Sequence, residues 1–151
     1  MPEFVRIALF SIGLTVILLT SCKENIPGCT DQTADNYQIE ANEENGSCTY
    51  SGEITFWYDN QTRDSLLSND LESVMPRVND TIGTNILPDF ILWSAEPECQ
   101  TSSIGRLDVN LGNQKSKMIH FTVALNHVNN IYWEDSIIVD HNGCELYQMI
   151  W

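Results

Sequence analysis

The segment Ile54-Thr-Phe-Trp-Tyr58 decides the fold of this chain. β-Branched and aromatic side chains pack well on a pleated, half-buried surface, so a run of them predicts a β-strand. Downstream, Leu107, Val109 and Leu111 alternate with polar residues, and this period of two predicts a half-buried strand over 106–111. Both patterns favour a fold built from strands.

Short apolar runs separated by turn residues continue this pattern to the end of the chain. The polar residues 60–70 predict a loop, and Pro76 is excluded from a helix interior, so the segment around it predicts an edge strand. The other predicted strands are 81–86, 118–125, 131–140 and 144–151, and the predicted turns are 79–80, 112–113, 126–130 and a hairpin turn at 141–143. About seven strands without a convincing helix predict an all-β fold, namely a β-sandwich.

The chain is strongly acidic, with 21 acidic and 7 basic side chains and a formal net charge of −14. A surface of this charge repels a phosphate backbone, which argues against nucleic acid as a partner. The same charge tolerates cations such as calcium. It also keeps an exported protein soluble without any ligand.

The N-terminal segment has the features of an export signal. Its apolar run, Ile7–Thr20, is shorter than the ~20 residues that a membrane-spanning helix needs, and such runs are typical of signal peptides. The run ends in Leu19-Thr-Ser-Cys22, which resembles the lipobox of bacterial lipoproteins. The resemblance implies that residues 1–21 are a cleaved signal peptide and that Cys22 carries the lipid. The alternative is an ordinary secretory signal with an incidental cysteine.

The same resemblance implies a location and a membrane partner. Lipoproteins of this kind carry more than one acyl chain, which anchors them stably to a membrane. Lys23 and Glu24 are similar to the surface-export signal of Bacteroidetes-type lipoproteins, although Asn25 departs from a second acid. We therefore expect an outer-membrane lipoprotein of the cell envelope, displayed on the surface and held by a lipidated tether at 22–28.

Four of the five cysteines remain when Cys22 is set apart: Cys29, Cys48, Cys99 and Cys144. An even number in an oxidising compartment predicts two disulfides, and four cysteines allow three connectivities. A zinc site is the competing use, but the sequence has no Cys-x-x-Cys pair and no close histidine partner.

The segment 29–48 has few large apolar side chains, so it needs another device to become ordered. It resembles a short Cys-bracketed module of Bacteroidetes surface proteins, with the pattern Gly-Cys-x-Asp-x-x-Ala-x-Asn-Tyr followed by Gly-Ser-Cys. The matching residues are Gly28, Cys29, Asp31, Ala34, Asn36, Tyr37, Ala41, Gly46, Ser47 and Cys48. The resemblance implies a module closed by a Cys29–Cys48 disulfide.

Oxygen-bearing side chains in this module offer a calcium site. Asp31, Asn36 and Glu44 are the candidate ligands, because calcium takes carboxylate, amide and carbonyl oxygens. Their spacing does not match an EF-hand loop. The alternative is that Asp31 and Asn36 cap turns by accepting hydrogen bonds from nearby backbone amides.

Residues 49–151 resemble a small β-domain found in the same lipoproteins. The shared elements are Thr55-Phe-Trp57 in the first strand, Pro97-Glu-Cys99 in a loop, Trp133 in a late strand and Gly143-Cys144 before the last strand. The resemblance implies an immunoglobulin-like or transthyretin-like β-sandwich with a Cys99–Cys144 disulfide. No activity is securely attached to that domain, so the resemblance implies none.

Catalytic motifs are absent from the sequence. His120, His127 and His141 form no His-Glu-x-x-His ligand set, so structural roles are expected, and no serine lies in Gly-x-Ser-x-Gly. Glu134 and Asp135 are neighbours in a predicted strand and therefore point to opposite faces. A hydrolase would need a cleft that joins a histidine to an acid or a nucleophile. We predict that the protein is not an enzyme.

Aromatic side chains leave a binding function open. Trp57, Trp93, Trp133 and Trp151 can stack on sugars, although tryptophans in a domain of this size more often pack in the core. Trp93 lies in a predicted loop and is the candidate ligand-binding side chain. The sequence predicts a non-enzymatic binding or structural role at the cell envelope, with a glycan or a surface protein as partner and no cofactor other than calcium. The alternatives are a glycan-binding module and a calcium-dependent adhesion module.

Overall fold

The computed structural model of the chain describes residues 24–79, 81–91, 93–99, 104–126 and 130–151. The predicted signal peptide, the predicted lipidation site Cys22, and the residues Asp80, Leu92 and His127 lie outside these ranges.

Nine strands lie in the described ranges, and seven of them form the two sheets of a β-sandwich, which confirms the predicted all-β fold. The two short N-terminal strands are β1 (Pro27–Gly28) and β2 (Glu43–Glu44). The sandwich strands are β3 (Tyr50–Tyr58), β4 (Val74–Val78), β5 (Thr81–Ile82), β6 (Arg106–Gly112), β7 (Ser116–Leu125), β8 (Ile131–Asp140) and β9 (Cys144–Met149). β3 is the centre of a three-stranded sheet in the order β6-β3-β9, and the other sheet has the order β5-β4-β7-β8.

The two sheets pack on each other through aromatic side chains. Phe56 of β3 lies edge-to-face against Phe121 of β7, with ring centroids 5.0 Å apart. Tyr147 of β9 contacts both rings, at 5.9 Å and 4.5 Å. Such edge-to-face pairs contribute beyond the area that they bury. The predicted alternation of β6 is also confirmed, because its residues 107, 109 and 111 are buried in the same core.

The last strand joins the sheet of the first sandwich strand. β9 pairs in parallel with β3, with residues 144–149 opposite residues 53–58. The predicted hairpin turn at 141–143 is therefore wrong, because this turn carries the chain from β8 in one sheet to β9 in the other. Asn142 has a positive φ of 56° there, and its backbone N–H donates to Ser51 O of β3 at 3.0 Å.

A helix replaces most of the predicted loop at 60–70. The helix α1 spans Asn60–Ser68, and the Asp59 side chain caps it by accepting from the Thr62 backbone N–H at 2.8 Å. Only Thr62 and Leu66 of α1 are buried, so its polar composition predicted a loop although the cap stabilises a helix. No helix of the described residues is long and apolar enough to cross a membrane.

The Cys-bracketed module packs on the sandwich. Its Cys29–Cys48 disulfide, which the resemblance implied, is formed, and both cysteines belong to the same buried cluster as the sandwich core. The end of the predicted tether belongs to the module, because β1 pairs with β2. In addition, the Asn42 side chain accepts from Ile26 N at 3.1 Å and donates to Glu24 O at 2.8 Å. The ordered module therefore starts before its first cysteine.

The second implied disulfide, Cys99–Cys144, is also formed. It fixes the long segment between β5 and β6 to the first residue of β9. This segment ends at Gly105, which has a φ of +73°, and a Cβ at this position would lie 2.1 Å from Phe56 O. Glycine is required there by both the backbone angle and the close approach.

Candidate functional site

An exposed aromatic patch lies where β8 begins and β9 has ended. We define this aromatic patch by Ile131, Tyr132, Trp133, Ile150 and Trp151. The rings of Tyr132 and Trp151 stack with centroids 5.1 Å apart and planes at 22°, and Trp133 lies 6.1 Å from each of them. Tyr132 is 51% exposed and Trp151 is 39% exposed. Grouped apolar side chains on a surface are typical of binding sites.

A β-bulge brings two consecutive aromatic residues to this patch. The residues on either side of Tyr132 pair with Val123 and Ala124 of β7, so Tyr132 itself is left without a partner in the ladder. Neighbours in a regular strand point to opposite faces, whereas a bulge re-aims one side chain. The bulge therefore lets Tyr132 and Trp133 both contact Trp151.

Two hydrogen bonds hold the aromatic patch in place. Trp133 Nε1 donates to Ile150 O at 3.1 Å, and the Trp151 backbone N–H donates to Thr62 Oγ1 at 3.2 Å. Thr62 is a buried residue of α1. The helix that the sequence did not predict therefore positions the last tryptophan.

A histidine, a serine and a carboxylate meet on the exposed face of the four-stranded sheet. His120 Nδ1 lies 3.3 Å from Ser136 Oγ, and His120 Nε2 lies 3.2 Å from Glu134 Oε1. Asp135 points to the other face, as predicted, where Tyr147 Oη donates to it at 3.4 Å. The side chains of His120 and Glu134 are 58% and 62% exposed. This trio is an open cross-strand network on a sheet surface.

A polar cavity of about 430 Å³ lies on the outer face of the three-stranded sheet. Its lining residues are Ser51, Gly52, Glu53, Arg106, Asp108, Asn142 and Gly143. Arg106 Nη2 donates to Glu53 Oε2 at 2.7 Å and to Asp108 Oδ1 at 3.2 Å. Glu53 is only 8% exposed, and its Oε1 is buried without a hydrogen-bond partner. The cavity thus holds two carboxylates and one guanidinium.

The candidate calcium ligand Asp31 is engaged by hydrogen bonds within the protein. It accepts from the Thr33 backbone N–H at 2.9 Å and from Tyr50 Oη at 2.8 Å, and Lys115 Nζ lies 2.6 Å from its Oδ2. The Lys115 ammonium and these donors hold the pKa of Asp31 well below its usual range. The hydrogen bond to Asp31 in turn raises the pKa of Tyr50.

The other two candidate ligands also bind the backbone of the module. Glu44 Oε2 accepts from Thr30 N at 2.9 Å, its Oε1 accepts from Gly46 N at 2.7 Å, and these bonds lower the pKa of Glu44. Asn36 Oδ1 accepts from Thr49 N at 2.8 Å. The bond from Thr33 N to Asp31 is the local turn cap that the sequence offered as the alternative to calcium, whereas the bonds to Asn36 from Thr49 and to Glu44 from Thr30 join residues 13 and 14 positions apart.

Two of the three candidate calcium ligands line the same cavity. Asp31 and Glu44 line an open cavity of about 320 Å³, whereas Asn36 is not among its lining residues. The sulfurs of Cys29 and Cys48 lie within 4.8 Å of a Glu44 oxygen, but their disulfide leaves no thiolate to bind a metal. Calcium binding by the module stays a prediction.

His141 fastens the module to the sandwich, which is a structural role. Its side chain is 7% exposed, and its Nδ1 lies 3.1 Å from Ser51 O. Its Nε2 contacts Thr33 O of the module, and its ring lies edge-on to Tyr50 at 4.9 Å.

Trp93, the candidate glycan ligand from the sequence, packs against the core. Its ring lies edge-on to Tyr58, with centroids 4.8 Å apart, and burial raises the pKa of Tyr58 to about 12. This position matches the packing role expected of most tryptophans, and ligand binding by Trp93 stays an untested prediction. The exposed tryptophan is Trp151.

The sequence carries no motif that singles out Tyr132, Glu53 or Arg106. The adjacent aromatics at 132 and 133 are the one local signal, because both cannot face the core of a regular strand. No local sequence pattern links Glu53 to Arg106, because their contact depends on the register of β3 and β6.

No protein-family model, no curated protein and no solved structure matches this chain.

Proposed function

We propose that this protein is an exported, membrane-anchored lipoprotein of the bacterial cell envelope that binds a partner without catalysing a reaction. The anchor rests on the lipobox resemblance that ends at Cys22. The Cys29–Cys48 and Cys99–Cys144 disulfides support an oxidising compartment. The exposed aromatic patch carries the binding part of the proposal.

The aromatic patch supports binding because it holds large apolar side chains in water at a fixed geometry. Ile150 is 67% exposed, and Ile131 is 51% exposed beside the stacked rings. Full burial of one such side chain contributes about 1.5–3 kcal/mol, and aromatic residues dominate the energy of many interfaces. The hydrogen bonds of Trp133 and Trp151 reduce the freedom that these residues would lose on binding.

Metabolic labelling with an alkyne fatty acid in a bacterial host tests the anchor. We expect label on the wild-type protein and none on the Cys22→Ala variant, which should also leave the membrane fraction. A wild-type chain that is uncleaved and unlabelled would overturn the lipoprotein assignment.

Site-specific photo-crosslinking in living cells tests the binding surface. A benzoyl-phenylalanine at position 132 should give a discrete crosslinked adduct. The matched control is position 90, because Phe90 is 80% exposed and lies outside the patch. Equal crosslinking from both positions, or none from position 132, would contradict a binding role for the patch.

A glycan is a second candidate partner, favoured by the stacking of Tyr132 on Trp151. Flat aromatic faces suit the apolar faces of sugar rings. On a glycan array the full chain should show signal that Trp151→Ala removes and Phe90→Ala retains. An array without signal for the wild-type protein would remove this candidate and leave a protein partner.

A further inference from the structure

The polar cavity lined by Glu53, Arg106 and Asp108 is electrostatically incomplete. Glu53 and Asp108 lie directly opposite each other in the antiparallel β3–β6 pair. Like charges in this arrangement destabilise a sheet unless something neutralises them. Arg106 bonds to both carboxylates, so the pair retains a surplus of one negative charge.

The carboxylate of Glu53 also lacks a hydrogen-bond donor. Its Oε2 lies 2.7 Å from Arg106 Nη2, whereas its Oε1 is buried without a partner. A buried charged oxygen without a donor costs more free energy than a neutral one. Rotation of the carboxylate only exchanges its two equivalent oxygens, so the unsatisfied position remains in a side chain that lines the cavity. One additional donor in the cavity would satisfy this group.

The residues that line the cavity favour a cation over an apolar or an anionic small ligand. No apolar side chain is among its described lining residues, which disfavours a hydrophobic ligand. The surplus negative charge and the acidity of the whole chain disfavour an anion. An ammonium group has three donors and no acceptor, which fits two carboxylates and the neighbouring oxygens of Ser51 and Asn142.

We propose that this cavity binds a primary ammonium group, supplied by a free alkylamine or by the lysine side chain of a partner. Glu53 and Asp108 accept its hydrogen bonds, and Arg106 remains paired with the outer carboxylate, Asp108. This binding function is independent of the aromatic patch, since the cavity lies at the Cys144 end of β9 and the patch at the Trp151 end.

Amide chemical shifts of the full chain, isotope-labelled and purified in detergent, test the proposal. The probes are n-butylamine, N-acetyl-lysine methylamide, and the same lysine with an acetylated side chain as a matched neutral control. The first two should move the amide signals of Gly52, Asn142 and Gly143, which line the cavity. The acetylated control should leave these signals unchanged. Butylamine binding that equals lysine binding points to a free amine, and stronger lysine binding points to a partner protein.

Variants decide whether the cavity is the site. Glu53→Gln should weaken binding by about tenfold or more, because it removes the buried charge. Asp108→Asn should weaken binding several-fold, and it alters a side chain that is 77% exposed. Asp64→Asn on α1, also exposed, is the control and should bind normally. Absent shifts with both amines, equal shifts with the acetylated control, or unchanged binding in Asp108→Asn would overturn the proposal.

Discussion

Lys115 Nζ lies 2.6 Å from Asp31 Oδ2, in an ion pair that joins the turn between β6 and β7 to the Cys-bracketed module. Tyr50 Oη donates to the same oxygen at 2.8 Å, and the Lys115 ammonium lies 5.6 Å from the centre of the Tyr50 ring. Three segments that are distant in sequence therefore meet at one carboxylate. The charge of Asp31 therefore adds to the contacts that hold the module on the sandwich.

The free energy of unfolding should fall in acid. Lys115 lowers the pKa of Asp31 from its usual 3.8, and the Thr30 backbone N–H lowers the pKa of Glu44 from 4.5. A carboxylate whose pKa is lower in the folded than in the unfolded chain stabilises the folded state at pH values above its unfolded-state pKa. This contribution is lost progressively as the pH falls below about 5. Urea unfolding midpoints over this range measure the effect.

The Asp31→Asn variant is the control for this pH dependence. It should flatten the acid part of the profile, because it removes the contribution of Asp31 and keeps that of Glu44. A profile as steep as that of the wild-type protein would contradict the role assigned to Asp31.

Removal of the Asp59 cap should destabilise the protein, since it leaves the Thr62 backbone N–H of α1 without its acceptor. We expect Asp59→Ala to lower the free energy of unfolding by about 1 kcal/mol. Asp64→Ala changes an exposed aspartate of the same helix and should cost less than about 0.5 kcal/mol. Thermal or urea unfolding of the two variants gives the comparison, and equal losses would argue against the cap.

Gly105 and Gly112 both have a positive φ. Alanine substitutions at these two positions therefore distinguish the cost of a steric clash from the cost of backbone strain. Gly112 has a φ of +67° and open space around a Cβ, so Gly112→Ala should cost about 1–2 kcal/mol. Gly105 has a similar φ, but its added Cβ would meet Phe56 O at 2.1 Å, so Gly105→Ala should cost considerably more. Urea unfolding measures both variants. Similar losses of unfolding free energy in the two variants would show that the close approach of Gly105 to β3 does not contribute to the cost.

Calcium should leave the melting temperature unchanged, because Asp31 and Glu44 already accept hydrogen bonds from the protein itself. A ligand that binds only the folded state at a hundredfold excess over its dissociation constant stabilises it by about 2.7 kcal/mol, which a thermal melt detects. The measurement compares the oxidised protein with calcium and with chelator. An upward shift with calcium would instead support a metal site in the module.

Local sequence patterns predicted the strands. The features that these patterns did not predict depend on contacts between residues distant in sequence. The aromatic run that ends at Tyr58 and the alternation around Val109 each act within one strand, so the sequence revealed β3 and β6 directly. The turn at 141–143 has the composition of a hairpin, but the pairing of β9 with β3 determined its sheet. The helix α1 buries too little to show a periodicity, and its end is set by Asp70, which has a φ of +57°.

The candidate sites also divide into those that a local sequence pattern predicts and those that depend on non-local contacts. Asp31 and Glu44 could be proposed from the sequence because they lie within one short module. The aromatic patch needs the bulge at Tyr132 and the contact of Trp151 with α1, neither of which has a sequence signature. The cavity needs the register that sets Glu53 opposite Asp108.

The pairing of β3 with β9 has a consequence for how the chain folds. Thr55 and Cys144 are neighbours although 89 residues separate them in the sequence. Contacts between residues so far apart in sequence form slowly, because the chain loses the entropy of closing a long loop before the contact stabilises it. The strand at the centre of the sheet is synthesised first and its parallel neighbour last, so the sheet remains unfinished while the chain is being made. A nascent chain that is threaded through a membrane from its N-terminus would therefore complete this sheet only after β9 has emerged.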